Sequence, residues 1–224
     1  MFGFLRRSVN AIGAEAVKVV KMDHSPWQRE MPMAALRTQE DLKGWLVGCD
    51  RDIGGFSEAH LEITKNGTGR FHGQLSLDLP ENESVEKSGY AGIRTKTRAG
   101  SIFGTPVWDT CLFEYLSLRV KGDERKYFVN LQTDGVVPTD LYQHRLFLKT
   151  PGEWETVLIP FKDFILTNQG FIQEDQIEIY RERVKNVGVS IIDRKSGPFE
   201  IEIEGISAVN VGPNPHAKSE DSDD

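Results

Sequence analysis

From Ser57 onward, apolar residues fall on alternate positions between clusters of Gly, Pro, Asn and Asp, the period-two pattern of strands with one buried face. Leu61 and Ile63 alternate with His60, Glu62 and Thr64, and Phe71, Gly73, Leu75, Leu77 and Leu79 share one face of a longer strand. Asn66-Gly67 between them predicts a hairpin turn, because both residues tolerate positive φ. Further strands are predicted over Tyr90–Thr97, Leu112–Lys121, Lys126–Thr133, Tyr142–Lys149, Trp154–Ile159, Asn186–Ile192 and Phe199–Val209, with Gly122-Asp123 as the turn between two of them. In the last, Phe199, Ile201 and Ile203 face one way and Glu200, Glu202 and Glu204 the other, so one side packs on a core and the other meets water or basic groups of a partner. About nine or ten strands at hairpin-like spacing, with no regular helices between them, predict an all-β antiparallel sandwich or jelly roll rather than βαβ units.

The two ends follow other patterns. Leu5, Val9, Ile12, Ala16 and Val20 recur at three- and four-residue spacing, one face of a helix. Arg6, Arg7, Lys18 and Lys21 against Glu15 give that segment a net +3, the charge pattern of a mitochondrial transit peptide. The other reading is an amphipathic helix that docks on the domain or on a partner. Thr38-Gln39-Glu40-Asp41 carries an N-cap residue followed three positions later by an acid, which predicts one short helix ending near Gly44. After Gly212, Glu220, Asp221, Asp223 and Asp224 against Lys218 leave a net −3 and no large apolar residue, the composition of a disordered tail. The chain divides into a targeting or docking segment at 1–31, a β-sandwich domain at 32–211 and an acidic tail at 212–224.

Charge and cysteine content narrow the function classes. A formal charge of −7 over 224 residues argues against nucleic acid as a partner, since phosphate-backbone binders draw their affinity from Lys and Arg. No stretch approaches the ~20 consecutive apolar residues of a transmembrane helix. Cys49 and Cys111 are too few for a disulfide framework and lack zinc-site spacing, which fits a reducing compartment; both read as inert packing residues. The sequons at Asn66-Gly67-Thr68 and Asn82-Glu83-Ser84 matter only in a secretory compartment, and nothing at the N-terminus directs the chain there.

Catalytic and cofactor signatures are missing. His24, His60, His72, His144 and His216 form no ligand-spaced pair, and no Gly-x-Ser-x-Gly, Ser-x-x-Lys, Cys-x-x-Cys or phosphate-binding Gly-Lys-Ser/Thr occurs. No cofactor or metal is expected. Asp50-x-Asp52-x-Gly54-Gly55 is the best acidic cluster; its spacing fails the EF-hand register, which leaves calcium, a Gly-rich turn with Asx hydrogen bonds, or a partner contact. Trp45, Trp108 and Trp154 fit a platform for stacking sugars or, as such residues more often do, a β core, and Trp108, in an irregular segment after Thr105-Pro106, is the best of them as a candidate for exposure.

Several of these features belong to one set. Asp50 to Ser57, Phe71-His72-Gly73, Gly89-Tyr90-Ala91-Gly92, Trp108-Asp109, Arg119 to Asp123, Pro160 to Phe164 and the Phe199–Ile206 strand resemble, in order and spacing, the complex I intermediate-associated proteins, with Leu36 to Asn210 covered. That resemblance implies a galactose-binding-like β-sandwich related to carbohydrate-binding modules. It also implies a non-enzymatic mitochondrial assembly factor, in the matrix and peripheral to the inner membrane. The implied partners are complex I membrane-arm subunits and other complex I assembly factors. Some relatives carry an added dinucleotide-binding domain, and no such region is present in this sequence. The motif positions are Asp50, Gly54, Gly55, Ser57, Gly73, Gly92, Trp108, Asp109, Gly122, Asp123, Pro160, Phe161 and Phe164. The glycines, Asp123 and Pro160-Phe161 have structural explanations; Asp50, Asp52, Gly54, Gly55, Ser57, Trp108 and Asp109 are the partner-contact candidates. A carbohydrate-binding module is the alternative function.

Overall fold

Residues 29–81, 88–98 and 106–212 are described by the computed structural model. The expected amphipathic helix, residues 213–224 of the expected tail and the sequon at Asn82 lie outside them. Thirteen strands form in the order β1 (Glu30–Ala35), β2 (Trp45–Cys49), β3 (Glu58–Ile63), β4 (Gly69–Leu75), β5 (Ala91–Thr95), β6 (Tyr115–Gly122) and β7 (Tyr127–Thr133). After these come β8 (Asp140–Leu146), β9 (Glu155–Pro160), β10 (Ile165–Asn168), β11 (Phe171–Ile172), β12 (Val184–Ile191) and β13 (Gly197–Val209). A six-stranded sheet runs β3-β4-β13-β6-β9 with β1 also on β13, and a seven-stranded sheet runs β11-β10-β8-β7-β12-β5-β2. Each ladder is antiparallel.

The alternation read in the sequence becomes one core between the sheets. Phe199, Ile201 and Ile203 of β13 are buried with Phe71, Leu116, Leu118 and Val120 from their own sheet and Ile93, Tyr127, Val129, Leu131, Val187 and Val189 from the other. Phe71 and Phe199 meet edge to face with ring centroids 5.0 Å apart. At Glu204 the register of β13 on β6 slips by one residue, so that Ile206 and Ala208 continue the inward series and a single strand can serve β4 along its first half and β1 along its second. The glutamates on the outer side of β13 meet basic groups of the chain itself: Arg70 pairs with Glu200, Lys121 with Glu202 at 3.3 Å and Arg37 with Glu204 at 3.0 Å.

The single short helix α1 (Gln39–Leu42) starts where expected, with a full capping box between Thr38 and Asp41. Other expectations need correction. The strand through Phe71 stops at Leu75, and Leu77 and Leu79 are exposed rather than in the core, because Ser76 turns aside to bond Ser57. In the turn at Asn66-Gly67, Gly67 takes positive φ and Asn66 does not. β1, β2, β10 and β11 were not foreseen: they are short, and β1 contains Pro32 while β2 contains Gly48, both poor strand residues. Cys49 is buried, but Cys111 is exposed instead of packed.

Candidate functional site

The Asp50–Ser57 loop is built around a carboxylate. A 3₁₀ turn over Asp50–Ile53 follows β2 directly, and Gly54, at φ +92°, ends it. Asp50 is wholly buried; Oδ1 accepts the Ser57 amide at 2.9 Å, while Oδ2 accepts the Ser57 hydroxyl at 2.7 Å and the Gly89 amide. The Ser57 hydroxyl also accepts the Ser76 amide at 3.0 Å, which ties the neighbouring segment to the loop. Gly55 leaves the room for this: a Cβ there would stand 2.5 Å from the Asp50 carboxyl carbon. With three donors on its two oxygens and no solvent contact, the Asp50 carboxylate serves the chain's own backbone.

What the loop presents outward is apolar. Ile53 and Phe56 are 44% and 55% exposed, beside the segment that carries the exposed Leu77 and Leu79. Gly54 reaches Pro80 of that segment, where an added Cβ would stand 3.4 Å away. Asp52 is exposed, and Arg51 pairs with Glu58 at 2.6 Å. Of the candidates taken from the sequence, then, Asp50, Gly55 and Ser57 are interior, and Ile53 and Phe56, which were not singled out, form the accessible surface. An apolar residue in a Gly-rich stretch gives no periodic signal to separate an exposed side chain from a buried one.

Trp108, the best candidate for an exposed tryptophan, takes the core alternative. It is 9% exposed and part of the core, bridged by backbone hydrogen bonds to Val184 at the start of β12. Asp109 is exposed and caps the Cys111 amide at 3.0 Å. Trp45 is buried too, with its indole N–H donated to the Ala35 carbonyl at 3.2 Å; Trp154 is half-buried, with Arg119 5.7 Å above its ring. The loop and Trp108 are not brought together: Asp50 joins the start of β5 through the Tyr90 carbonyl, whereas Trp108 lies with Arg98 beyond the other end, a strand length of about 13 Å away.

Between them runs a groove of about 460 Å³ on the outer face of the seven-stranded sheet. Gly48, Gly92, Gly188 and Ser190 line it along with Arg94, Asn130, Asp52 and Tyr90. Two of its polar side chains are joined across strands, Asn130 donating to Ser190 at 2.8 Å, and Asn130 in turn accepts from Gln143 outside the groove at 2.6 Å. Tyr90 is the aromatic residue among the described lining residues; burial, then the charges of Asp50 and Asp52, push its hydroxyl up, so it stays protonated. Among the described residues no three His, Cys, Asp or Glu side chains gather as metal ligands, and no helix is long and apolar enough to cross a membrane. The arrangement offers shaped surface and prepaired amides, the means of binding.

Comparison with known proteins follows this geometry. The family model described as complex I intermediate-associated protein 30 matches residues 34–203, from the end of β1 into β13. The mitochondrial complex I intermediate-associated protein 30 of Neurospora crassa is 42% identical over 198 residues, which cover 78% of this chain and 71% of that one. The proteins of the same name from Drosophila melanogaster and Mus musculus are 36% and 32% identical over 73% and 76% of this chain, which spans 57% and 53% of their lengths. Among solved structures, a family 11 carbohydrate-binding module of a cellulosomal cellulase of Clostridium thermocellum superposes with a TM-score of 0.54, at 15% identity over 84% of this chain and 98% of the module. That likeness is one of β-sandwich fold.

Proposed function

The chain belongs to the complex I intermediate-associated protein 30 family, and from that premise we propose that it is an assembly factor for mitochondrial respiratory complex I, acting by binding and without a chemical step. It would hold membrane-arm subunits and other assembly factors in the matrix, peripheral to the inner membrane, and stabilise each partly built intermediate by mass action. The observation that carries this reading is the family match across nearly the whole β-sandwich. The Asp50 loop supports it with a contact surface: a backbone fixed by a buried carboxylate displays Ile53 and Phe56 beside the segment that carries Leu77 and Leu79, and rigid apolar display lowers the ordering cost of association. Within that proposal Asp50, Gly54, Gly55 and Ser57 set the shape, while Ile53 and Phe56, with Asp52 at the rim, touch the partner. Asp109 is the exposed member of the Trp108-Asp109 pair. The carbohydrate alternative shares the fold but loses Trp45 and Trp108 as stacking faces, since both are buried.

The test replaces Ile53 and Phe56 together by Ser in cells depleted of the natural protein. Both side chains are more than a third exposed, so the purified variant should unfold within about 1 kcal/mol of the parent. In mitochondria it should fail to restore complex I and should release its subunits on affinity purification. Normal complex I in depleted cells would overturn the assembly role, and full rescue by the double variant would move the contact elsewhere on the surface.

A further inference from the structure

β9 ends the six-stranded sheet, with β6 on one side and no strand on the other. The Phe161 amide donates to the Glu114 carbonyl at 3.1 Å, and in an antiparallel ladder such bonded pairs recur at every second residue. Glu155, Val157 and Ile159 therefore take the bonds to β6, while the N–H and C=O of Thr156 and Leu158 point away from the sheet. Both residues are exposed, and none of these four backbone groups has a hydrogen-bond partner among the described residues. Pro160, the next residue of that series, has no amide to offer and closes the run.

The other edges are guarded in the ways that keep strands from pairing with strangers. β3 turns Glu58, His60 and Glu62 to its outer face, β11 has two residues, and β1 contains Pro32. At β2 the outward-bonding positions are Trp45, Val47 and Cys49, and the first and last are buried. β9 has one charged residue, Glu155, and its carboxylate is turned back to the Lys149 amide at 3.0 Å and the Thr150 amide at 3.4 Å. The outer side of the strand and its approach reads Trp154, Thr156, Leu158 and Pro160, with Leu158 41% exposed. An edge with open backbone groups and an apolar face is an aggregation hazard unless something covers it.

We infer that β9 receives an extended segment of a partner polypeptide as one more strand of the six-stranded sheet. A donor and an acceptor on each of two residues about 6.8 Å apart repeat as a strand backbone does, and another strand answers both pairs at once. The inward side chains of the added segment would extend the row of Val157 and Ile159, so they are apolar; the outward ones lie beside Thr156 and Leu158. A second copy paired through β9 alone would bury a strip about 20 Å long and one strand wide, well short of the ~1,200 Å² that a stable dimer needs. A partner also held elsewhere on the surface needs no more than that strip. The partner as source rests on the binding-module reading; the strand chemistry stands apart from it.

The test follows backbone amide shifts and hydrogen exchange in the full ¹⁵N-labelled chain. In the free chain the Thr156 and Leu158 amides should exchange about a hundredfold faster than those of Val157 and Ile159. The probe is a capped octapeptide, Lys-Thr-Val-Thr-Val-Thr-Val-Lys, and its control carries proline at the third and sixth positions, which removes a donor from each edge of the peptide. The alternating peptide should shift the Thr156 and Leu158 amides saturably and slow their exchange about tenfold, and the proline peptide should do neither. Leu158→Pro deletes one outward donor and no bond to β6, so it should weaken the alternating peptide about fivefold. Leu158→Val, which keeps the donor, should bind as the parent does. Unmoved Thr156 and Leu158 signals, or equal affinity for the two peptides, would overturn the site. Protection of the same amides that grows with the concentration of the chain alone, with a dimer mass in sedimentation, would overturn the partner in favour of a second copy. If depletion leaves complex I normal while the alternating peptide still binds, the assembly role falls and the site stands.

Discussion

At Asp50 a carboxylate without exposed surface accepts from the Ser57 amide, the Ser57 hydroxyl and the Gly89 amide, and so closes a loop whose ends lie seven residues apart. Asp50→Asn turns one acceptor into an NH₂ that must face a donor, and the chain should lose about 2–3 kcal/mol, read as a lower urea midpoint. The bond after Arg51 should also become open to trypsin in the native state; an unchanged midpoint would mean that the clamp does not hold the loop. Gly55→Ala should act in the same direction, because its Cβ would overlap the Asp50 carboxyl group. Spacing marks Asp50, Asp52, Gly54 and Gly55 as a cluster, and the family resemblance adds Ser57. Neither tells which of them face inward, since a loop has no period. The sequence leaves Trp108 between core and surface for a related reason: its local sequence reads as irregular, and it is held by a bridge to Val184, 76 positions further along the chain.

Among the elements, β4 depends on the absence of a side chain at one position. A Cβ on Gly73 would come within 1.9 Å of the Glu58 carbonyl oxygen on β3 and 2.9 Å of the Phe199 ring on β13. Gly73→Ala should therefore cost about 3 kcal/mol, the upper range for overpacking, and thermal unfolding would show it directly. A melting temperature equal to the parent's would mean that β3 shifts outward at no cost. The sequence placed Gly73 on the inward face with Phe71 and Leu75, which the register confirms. Long alternating runs such as β6, β7, β12 and β13 were legible because burial on one side repeats over several residues. β2 and β10 were not, for they have five and four residues, and their partners β5 and β8 lie elsewhere in the chain. A short strand's identity resides in its partner, and one sequence does not print that pairing.

The molecule as a whole carries titrations that bound its stability on both sides of neutrality. Burial alone would raise the Asp193 carboxyl, but the Arg125 fork, the Arg125 charge and nearby amides outweigh it and hold the group below its ordinary value. Asp41 is held low as well, first by the Arg37 amide and then, against some burial, by Thr38. Folded carboxylates with lowered pKa bind fewer protons than the unfolded chain. Their contribution is thus complete above about pH 5 and is lost as pH falls through about 4 and below. Tyr127 works in the opposite sense. Burial, followed by the charge of Asp123, which accepts its hydroxyl at 3.0 Å, raises its pKa, so the folded state resists losing that proton. Stability from this source is present below about pH 10 and declines as pH rises further. Urea midpoints measured from pH 2 to 11 should give a plateau with two falling sides. Asp193→Asn should lower the plateau by roughly 3 kcal/mol, because Arg125 would be left buried without its partner, and should flatten the acid side. Tyr127→Phe should flatten the alkaline side and leave the acid side as it was. An alkaline fall as steep in Tyr127→Phe as in the parent would assign that side to Tyr90 and Tyr142, both also raised by burial, instead of to the Tyr127–Asp123 contact that joins the β6–β7 turn to β13 through the Glu200 amide.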